Sequence, residues 1–495
     1  MINSLRSAIL SLFTTINHKT TSKQRYLLIL LLIVFIIATL GILFTLRALL
    51  LRQVPAYGGT YTDGIVGVPR FINPVLATSD ADQALSKLVY SGLMREQSPG
   101  VFIPDLAESV TVSPDELTYT FTIRRDAVFH DSKPVTAHDI VYTLEQIKKY
   151  PNQSLAGWQS ITITSQDSHT VIMTLKQKYG DFMRMATIGI LPSHIWEPLS
   201  DETFPVSDFN NLPVGSGPYK IVDVAYSKSG IPEKYTLKRF TDFTLGKPYL
   251  RKIVIHTVPN NTALLQLLDS GTLDGTLIHG SIETSRLVSE LRGYDTSVFP
   301  STKVFGLFLN KSRSTLTEGS TRTMIHDILM SDPEIARSIG GDYAFIPNGP
   351  VPYQYASKVT TPVKPSVKPG LKLTLTTLDN PELKSITDKI STKLTDAGIT
   401  TEIQVYQPSD LEQAVLSKRD YEALVFGYTI TSPADLYAFW HSSQANYPGL
   451  NITGLKDNTL DKLVSDIIET GDPQKRSELL AQFITRLNRE SVAVF

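Results

Sequence analysis

"LTYTFTIRRDAVFHDSKPVTAHDIVYTL", residues 117–144, carries two His-Asp pairs, His130-Asp131 and His138-Asp139. Read as chemistry, they make the chain an enzyme or a metal protein; read as scaffold, they leave that question to other residues. Leu117, Tyr119, Phe121 and Ile123 alternate with three threonines, the pattern of a strand buried on one face. After Thr136 the period changes, and Ile140, Val141, Leu144 and Ile147 follow helical spacing. Thr136 as N-cap and Asp139 three residues on make a capping box, with the carboxylate at the positive end of the helix dipole. Lys148 and Lys149 occupy the opposite end, before Pro151. Asp139 therefore has a helix-start role, and His130-Asp131 falls in the turn that ends the strand. Catalysis would need a nucleophile and an oxyanion site nearby, and zinc would need three or four ligands at workable spacing. Neither is signalled. The pairs are read as scaffold, with no catalytic residue, metal or cofactor assigned.

Working outward, 495 residues suggest about three domains of ordinary size. Apolar residues make up 42% and charged ones 19%, enough for a large core. The formal charge is −1, but residues 1–56 hold six basic side chains and no acidic one. The remainder, with 41 basic against 48 acidic residues, carries −7, which argues against nucleic acid as a partner. There is no cysteine, which excludes disulfides, thiolate metal sites and a lipidated cysteine anchor. Residues 26–46 form an uncharged run, about 32 Å as a helix and long enough to span a bilayer. Four Lys/Arg precede it and two follow, so 1–25 is expected in the cytoplasm and the body outside. The alternative is a signal peptide cleaved after Val54-Pro55-Ala56; the length of the run and Arg47 and Arg52 favour an anchor.

The nearest to a linker is "ASKVTTPVKPSVKPG" (356–370), rich in proline and small polar residues. Beyond it, strand and helix text alternate: "LKLTLTTL", "PELKSITDKISTKLTDAG", "ITTEIQVY", "SDLEQAVLSKRD", "YEALVFGY". Gly398 is placed to stop the first helix, "SDLEQAVLSKRD" is expected as a capped helix, and the unit predicts a mainly parallel sheet. Two more helices follow, from Asn458 and from Pro473 to about Arg486, and "SVAVF" (491–495) reads as a last strand. "GSGPYK" (215–220) lacks the spacing of a phosphate-binding loop and reads as a tight turn entering a strand.

These residues resemble a family. The stretch from "GGTYTDGIVG" (58–67) through "PDLAES" (104–109), "SPDELTYTF" (113–121) and "FHDSKPVTAHDIVYTLE" (129–145) is similar to the extracytoplasmic solute-binding proteins, family 5, of ABC importers. So are "PVGSGPYKI" (213–221) and "LLDSGTLDG" (267–275), and the resemblance runs from Tyr57 to the end. It implies an α/β, bilobal type II periplasmic-binding-protein-like fold with an extra inserted α+β domain, plus one N-terminal transmembrane helix. The expected division is lobe I at 57–74 and 186–301, the insert at 75–185 and lobe II at 302–488. Residues 489–495 would begin the return to lobe I. "FGLFLN" (305–310) would be one hinge crossing, with Phe308 and Asn310, and "SVAVF" the other. Family chains continue for some tens of residues past that crossing, so the stop at Phe495 is expected to mark a truncated chain.

The resemblance also implies a ligand site. The loop after "YEALVFGY", "FGYTITSPADLYAFWHS" (426–442), follows a buried strand, and in α/β lobes ligands gather beyond the carboxyl ends of strands. Tyr428, Tyr437 and Trp440 offer apolar area with polar tips; packing within the lobe is the competing account. Peptide-binding members carry a first aspartate here that pairs with the peptide amine and a second further on. Asp435 matches the second, whereas Thr431 stands where the first would be. Gly217, in the turn before a strand, would border the cleft through its backbone. The function implied is a monomeric, membrane-anchored receptor that captures a short peptide and hands it to an ABC permease and its ATPase. Alternatives are a ligand sensor signalling to a separate protein, or a receptor for a non-peptide solute.

Overall fold

The strand–turn–helix expected over residues 117–149 is present in the computed structural model of the chain, and two sheets are organised around it. The structure describes residues 21–50, 54–98, 100–150, 158, 160–278, 288, 291, 293–299, 302–331, 347, 349–351, 370–407, 410–430 and 432–495. They fall into two compact units, Met1–Tyr57 and Gly58–Phe495. Of the expected linker only Gly370 lies among the described residues.

In the first unit, helix α1 (Ser22–Leu50) carries the uncharged run. Its stretch Ser22–Arg47 is long and apolar enough to cross a membrane, and none of its most apolar window is buried inside the protein. Two hydroxyls within it are satisfied internally: Thr39 donates to the Phe35 carbonyl at 2.7 Å and Thr45 to that of Gly41 at 3.0 Å. An apolar solvent offers no other partner for such groups.

The second unit begins with β1 (Gly58–Val66), α2 (Asp80–Val89), β2 (Met94–Ser98), β3 (Val101–Pro104), β4 (Ala107–Val112) and β5 (Thr118–Ile123). Next come α3 (Ala137–Lys149), β6 (Ile161–Asp167), β7 (Thr170–Leu175), α4 (Phe182–Met185) and α5 (Ser193–Trp196). Then follow β8 (Tyr219–Tyr226), β9 (Pro232–Arg239), β10 (Leu250–Val258) and α6 (Asn261–Asp269). One sheet has the order β1-β10-β9-β8, with β1 parallel to β10, and an antiparallel sheet has the order β4-β5-β7-β6. The second sheet thus lies in a segment inserted between β1 and β8, the two edge strands of the first. Tyr119, Phe121 and Ile123 of β5 are buried and the threonines between them are half-buried. They share one apolar core with Ile140, Leu144 and Ile147 of α3 and with Tyr235, Leu237, Ile253 and Ile255 of the first sheet. Packing also continues past residue 185: Tyr150 stacks on Phe204 at 4.9 Å, and Trp196 meets Phe204 at 4.8 Å. A small sheet needs another layer to bury its apolar face, and here that layer comes from both sides of the insertion.

The remaining elements are β11 (Lys303–Leu309), α7 (Gly319–Met330), β12 (Lys372–Leu378), α8 (Pro381–Asp396) and β13 (Thr400–Tyr406). They are followed by β14 (Ala423–Thr429), α9 (Leu436–Trp440), α10 (Asn458–Glu469), α11 (Pro473–Glu490) and β15 (Ala493–Val494). The sheet order is β13-β12-β14-β11-β15; β12 is parallel to β13 and β14, and β11 is antiparallel to β14 and β15. The strands of "FGLFLN" and "SVAVF" are therefore neighbours, with Leu307 opposite Val494. Two apolar clusters cover the sheet. One takes in Ile325 of α7 and Ile386, Ile390 and Leu394 of α8; the other takes in Trp440, Val464, Phe483 and Leu487.

Two local expectations are corrected. "SDLEQAVLSKRD" is not a capped α-helix: Leu411–Leu416 is a π-helical stretch, and the Asp410 side chain makes no cap bond. Bonds at its far end set its path, with Arg419 at φ 54° donating to the Ala445 and Gly449 carbonyls. Helix α11 runs to Glu490 and not to about Arg486. Its stop is Ser491 in the left-handed region at φ 49°, so no glycine advertises it.

Candidate functional site

The histidine-aspartate pairs separate in space into scaffold contacts. The Asp139 carboxylate accepts the Thr136 N–H and hydroxyl, both at 2.8 Å, completing the expected capping box. Its other oxygen accepts the N–H and hydroxyl of Ser193 at 2.8 and 2.7 Å. His138 meets Glu197 at 3.0 Å on the surface, and Asp131 meets His194 at 2.7 Å. The His130 ring bridges the "GSGPYK" turn: Nδ1 accepts the Gly215 N–H at 3.3 Å, and Nε2 donates to the Gly217 carbonyl at 3.0 Å. Burial pushes its pKa down to about 4, so the neutral ring that this donor-acceptor pattern requires is the stable form.

The loop after β14 is built from a buried strand end. Tyr428 is buried, its hydroxyl donates to the Pro350 carbonyl at 3.3 Å, and its ring stacks on Phe439 at 4.4 Å. Burial raises its phenol pKa well above the ordinary value. Trp440 is 1% exposed, with its ring 6.3 Å from Phe308, 6.4 Å from Phe483 and 6.0 Å from Phe495. Phe308 is 1% exposed in the same cluster. Of the residues expected to line a cleft, these three meet core partners, a packing that accounts for them without a ligand. Asp435 and Tyr437 are only half-buried. Asp435 closes a tight box with Ser432: each backbone N–H donates to the other residue, to the Ser432 carbonyl and the Asp435 carboxylate, at 3.0 Å. Tyr437 stacks on His441 at 4.3 Å. Thr431 lies outside the described residues.

Asn310 and Gly217 are both committed to the backbone around them. Asn310 is buried, donates to the Arg419 and Tyr421 carbonyls at 3.0 Å and accepts the Ser312 N–H at 3.1 Å. Gly217 donates to the Val89 carbonyl at 2.7 Å, and a Cβ there would lie 2.6 Å from Val89 C. It sits against α2 and His130, in the first sheet's neighbourhood, whereas Tyr428, Trp440 and Phe308 belong to the C-terminal core.

A model of the family "Bacterial extracellular solute-binding proteins, family 5 Middle" matches residues 101–339. The oligopeptide-binding protein AppA of Bacillus subtilis (strain 168) is 24% identical, over 89% of this chain and 86% of that protein. The nickel-binding periplasmic protein of Escherichia coli (strain K12) is also 24% identical, over 85% of each. The chain is thus similar to family 5 of the bacterial extracellular solute-binding proteins, through the model over its middle and through these relatives over most of its length. The crystal structure of the ABC transporter substrate-binding protein CtaP from Listeria monocytogenes superimposes with a TM-score of 0.74 at 24% identity, covering 88% of this chain and 92% of that one. The chain accordingly has the bilobal α/β fold of periplasmic binding proteins, and the proteins it resembles are binding proteins of transporters.

Sequence reading missed Asp181, Ser432 and Arg476, which meet at the loop. The Ser432 hydroxyl donates to Asp181, and Arg476 pairs with the same carboxylate at 2.8 Å. Gly180 next to it donates its N–H to the Ile468 carbonyl at 2.7 Å. No periodicity or cap ties position 181 to positions 432 and 476; the "GD" step is the only local mark, and alone it signals a turn.

Proposed function

We propose that this protein is a membrane-anchored receptor that captures short peptides between its two lobes and delivers them to an ABC permease driven by its ATPase. The observation that carries this is the loop from the carboxyl end of β14 to α9. It leaves Asp435 and Tyr437 half-buried at the place where α/β sheets take ligands. The likeness to the oligopeptide-binding protein AppA over nearly the whole body supports the substrate class. Lobe I would comprise 57–74 and 186–301, the insert 75–185 and lobe II 302–488. Residues 26–46 would anchor the chain, with the body outside the cytoplasm. Tyr437 and Asp435 would face the peptide, with Phe308, Tyr428 and Trp440 bracing the loop from the core behind them. A peptide is held through its backbone by strand-like hydrogen bonds and leaves its side chains in wet pockets.

Thr431 offers a hydroxyl where peptide-binding relatives of the resembled type carry an acid, and Asp435 is engaged by Ser432. A charge-assisted bond to a terminal ammonium, roughly 1.5–3 kcal/mol, would then be missing. Isothermal titration of the full chain with a pool of di- to pentapeptides tests the reading. Saturable binding without peptide turnover is expected, with N-acetylated peptides bound within tenfold of free ones. Turnover, or no heat with any peptide, would overturn it.

A further inference from the structure

The strongest feature that this function leaves unused is the meeting of Asp181 with the C-terminal elements. Phe182, which follows it, is fixed in the N-terminal core, 4.1 Å from the Tyr119 ring. Arg476 lies in the first turns of α11, whose buried face packs in the C-terminal core, and Ser432 follows β14. The contact therefore joins the two packed cores through three kinds of bond. Asp181 and Arg476 form an ion pair with side chains only 11% and 17% exposed. The Ser432 hydroxyl, on a 3% exposed residue, donates to the second Asp181 oxygen. Gly180 presses its backbone against the turn after α10: its N–H binds the Ile468 carbonyl, and a Cβ would overlap the Thr470 carbonyl. Arg476 also donates to that Thr470 carbonyl at 2.6 Å, so one guanidinium holds both the carboxylate and the turn.

We propose that Gly180-Asp181, Ser432 and Arg476 form a solute-independent latch that holds the two lobes together. Every group in it comes from the chain, so no ligand is needed to bridge it. An ion pair this sheltered is weakly screened, and opening would leave Asp181 and Arg476 to be resolvated separately. Solute would then enter through a minor open state, and its apparent affinity would be reduced by the fraction of molecules that are open.

The absence of cysteine permits a direct test on the full chain in nanodiscs without solute. Spin labels on Thr164→Cys and Asp388→Cys, both exposed positions, report the distance between the N-terminal packed core, which the insert shares with lobe I, and lobe II. The parent is expected to show one narrow distance. Asp181→Ala, and the better space-conserving Asp181→Asn, should raise the ratio of long to short distances by tenfold or more. Gly180→Ala should do the same by wedging the turn, and the swap Asp181→Arg with Arg476→Asp should restore the short distance. Unchanged distributions in both Asp181 variants, or a parent already broad, would overturn the latch. Because no solute is present, this failure is distinct from a failure of peptide binding.

Discussion

The Asp139 carboxylate and Ser193 are joined by two hydrogen bonds, at 2.8 and 2.7 Å, across 54 positions of sequence. With the capping box, this gives one buried carboxylate four donors, tying the start of α3 to the start of α5. Replacing it by alanine orphans those donors. Asp139→Ala should destabilise by about 2–4 kcal/mol in urea unfolding, since bonds to a charged group contribute about 1.5–3 kcal/mol each but do not add fully. His138→Ala, whose partner is an exposed Glu197, should stay within about 0.5 kcal/mol.

Acid should act on this fold through two groups of opposite sign. His130 is held down to about 4 by burial, so between pH 6.5 and 4 the unfolded chain binds the proton first and stability falls as pH falls. Asp105 is pushed up to about 6 by burial, so between pH 6 and 4 the folded chain binds the proton first and stability rises as pH falls. Each shift corresponds to something on the order of 3 kcal/mol, and they oppose one another. The wild type should therefore show a shallow slope over this window. His130→Asn should gain on the wild type as pH falls, and Asp105→Asn should gain as it rises. Denaturant midpoints from pH 4 to 7 check both.

Trp440 and Tyr437, three positions apart, should give opposite mutant profiles. Trp440→Ala empties a site among Phe308, Phe483 and Phe495 and should cost about 3–5 kcal/mol by thermal or denaturant unfolding. Tyr437→Ala removes a half-buried ring and should leave the melting temperature within a few degrees. Its expected effect is a tenfold or greater loss of peptide affinity by titration calorimetry, about 1.4 kcal/mol.

Gly217 is required for steric reasons. A Cβ there would meet Val89 C, Val89 O and Leu88 O at 2.6, 2.7 and 2.8 Å, all backbone atoms that cannot rotate away. Gly217→Ala should cost about 2 kcal/mol or more and loosen the turn that holds His130. Faster amide exchange at Gly215 and Gly217, together with a lower melting temperature, is the expected result.

Much of the fold was legible. The alternation at 117–123 and the helix start at Thr136 appear where the text puts them, because each depends on residues within one strand or one helical turn. The π-helical stretch 411–416 and the stop at Ser491 were not legible, because bonds to distant carbonyls and a serine in the left-handed region leave no local mark.

The candidate site divides in the same way. Its location after β14 follows from the order of strands and helices, but the burial of its side chains does not. An aromatic residue in a loop reads identically whether it faces a cleft or a core, and only the approach of Phe483 and Phe495 placed Trp440 inside.

By itself the sequence determined the uncharged 26–46 run, the order of most elements and the family resemblance, since periodicity, capping and motif order are properties of residues close along the chain. The tertiary structure alone decided that Asp139 braces Ser193, that Trp440 is core and that Asp181 meets Arg476. Those depend on which surfaces come together when apolar faces are buried, and that pairing joins residues tens to hundreds of positions apart that carry no mark of one another.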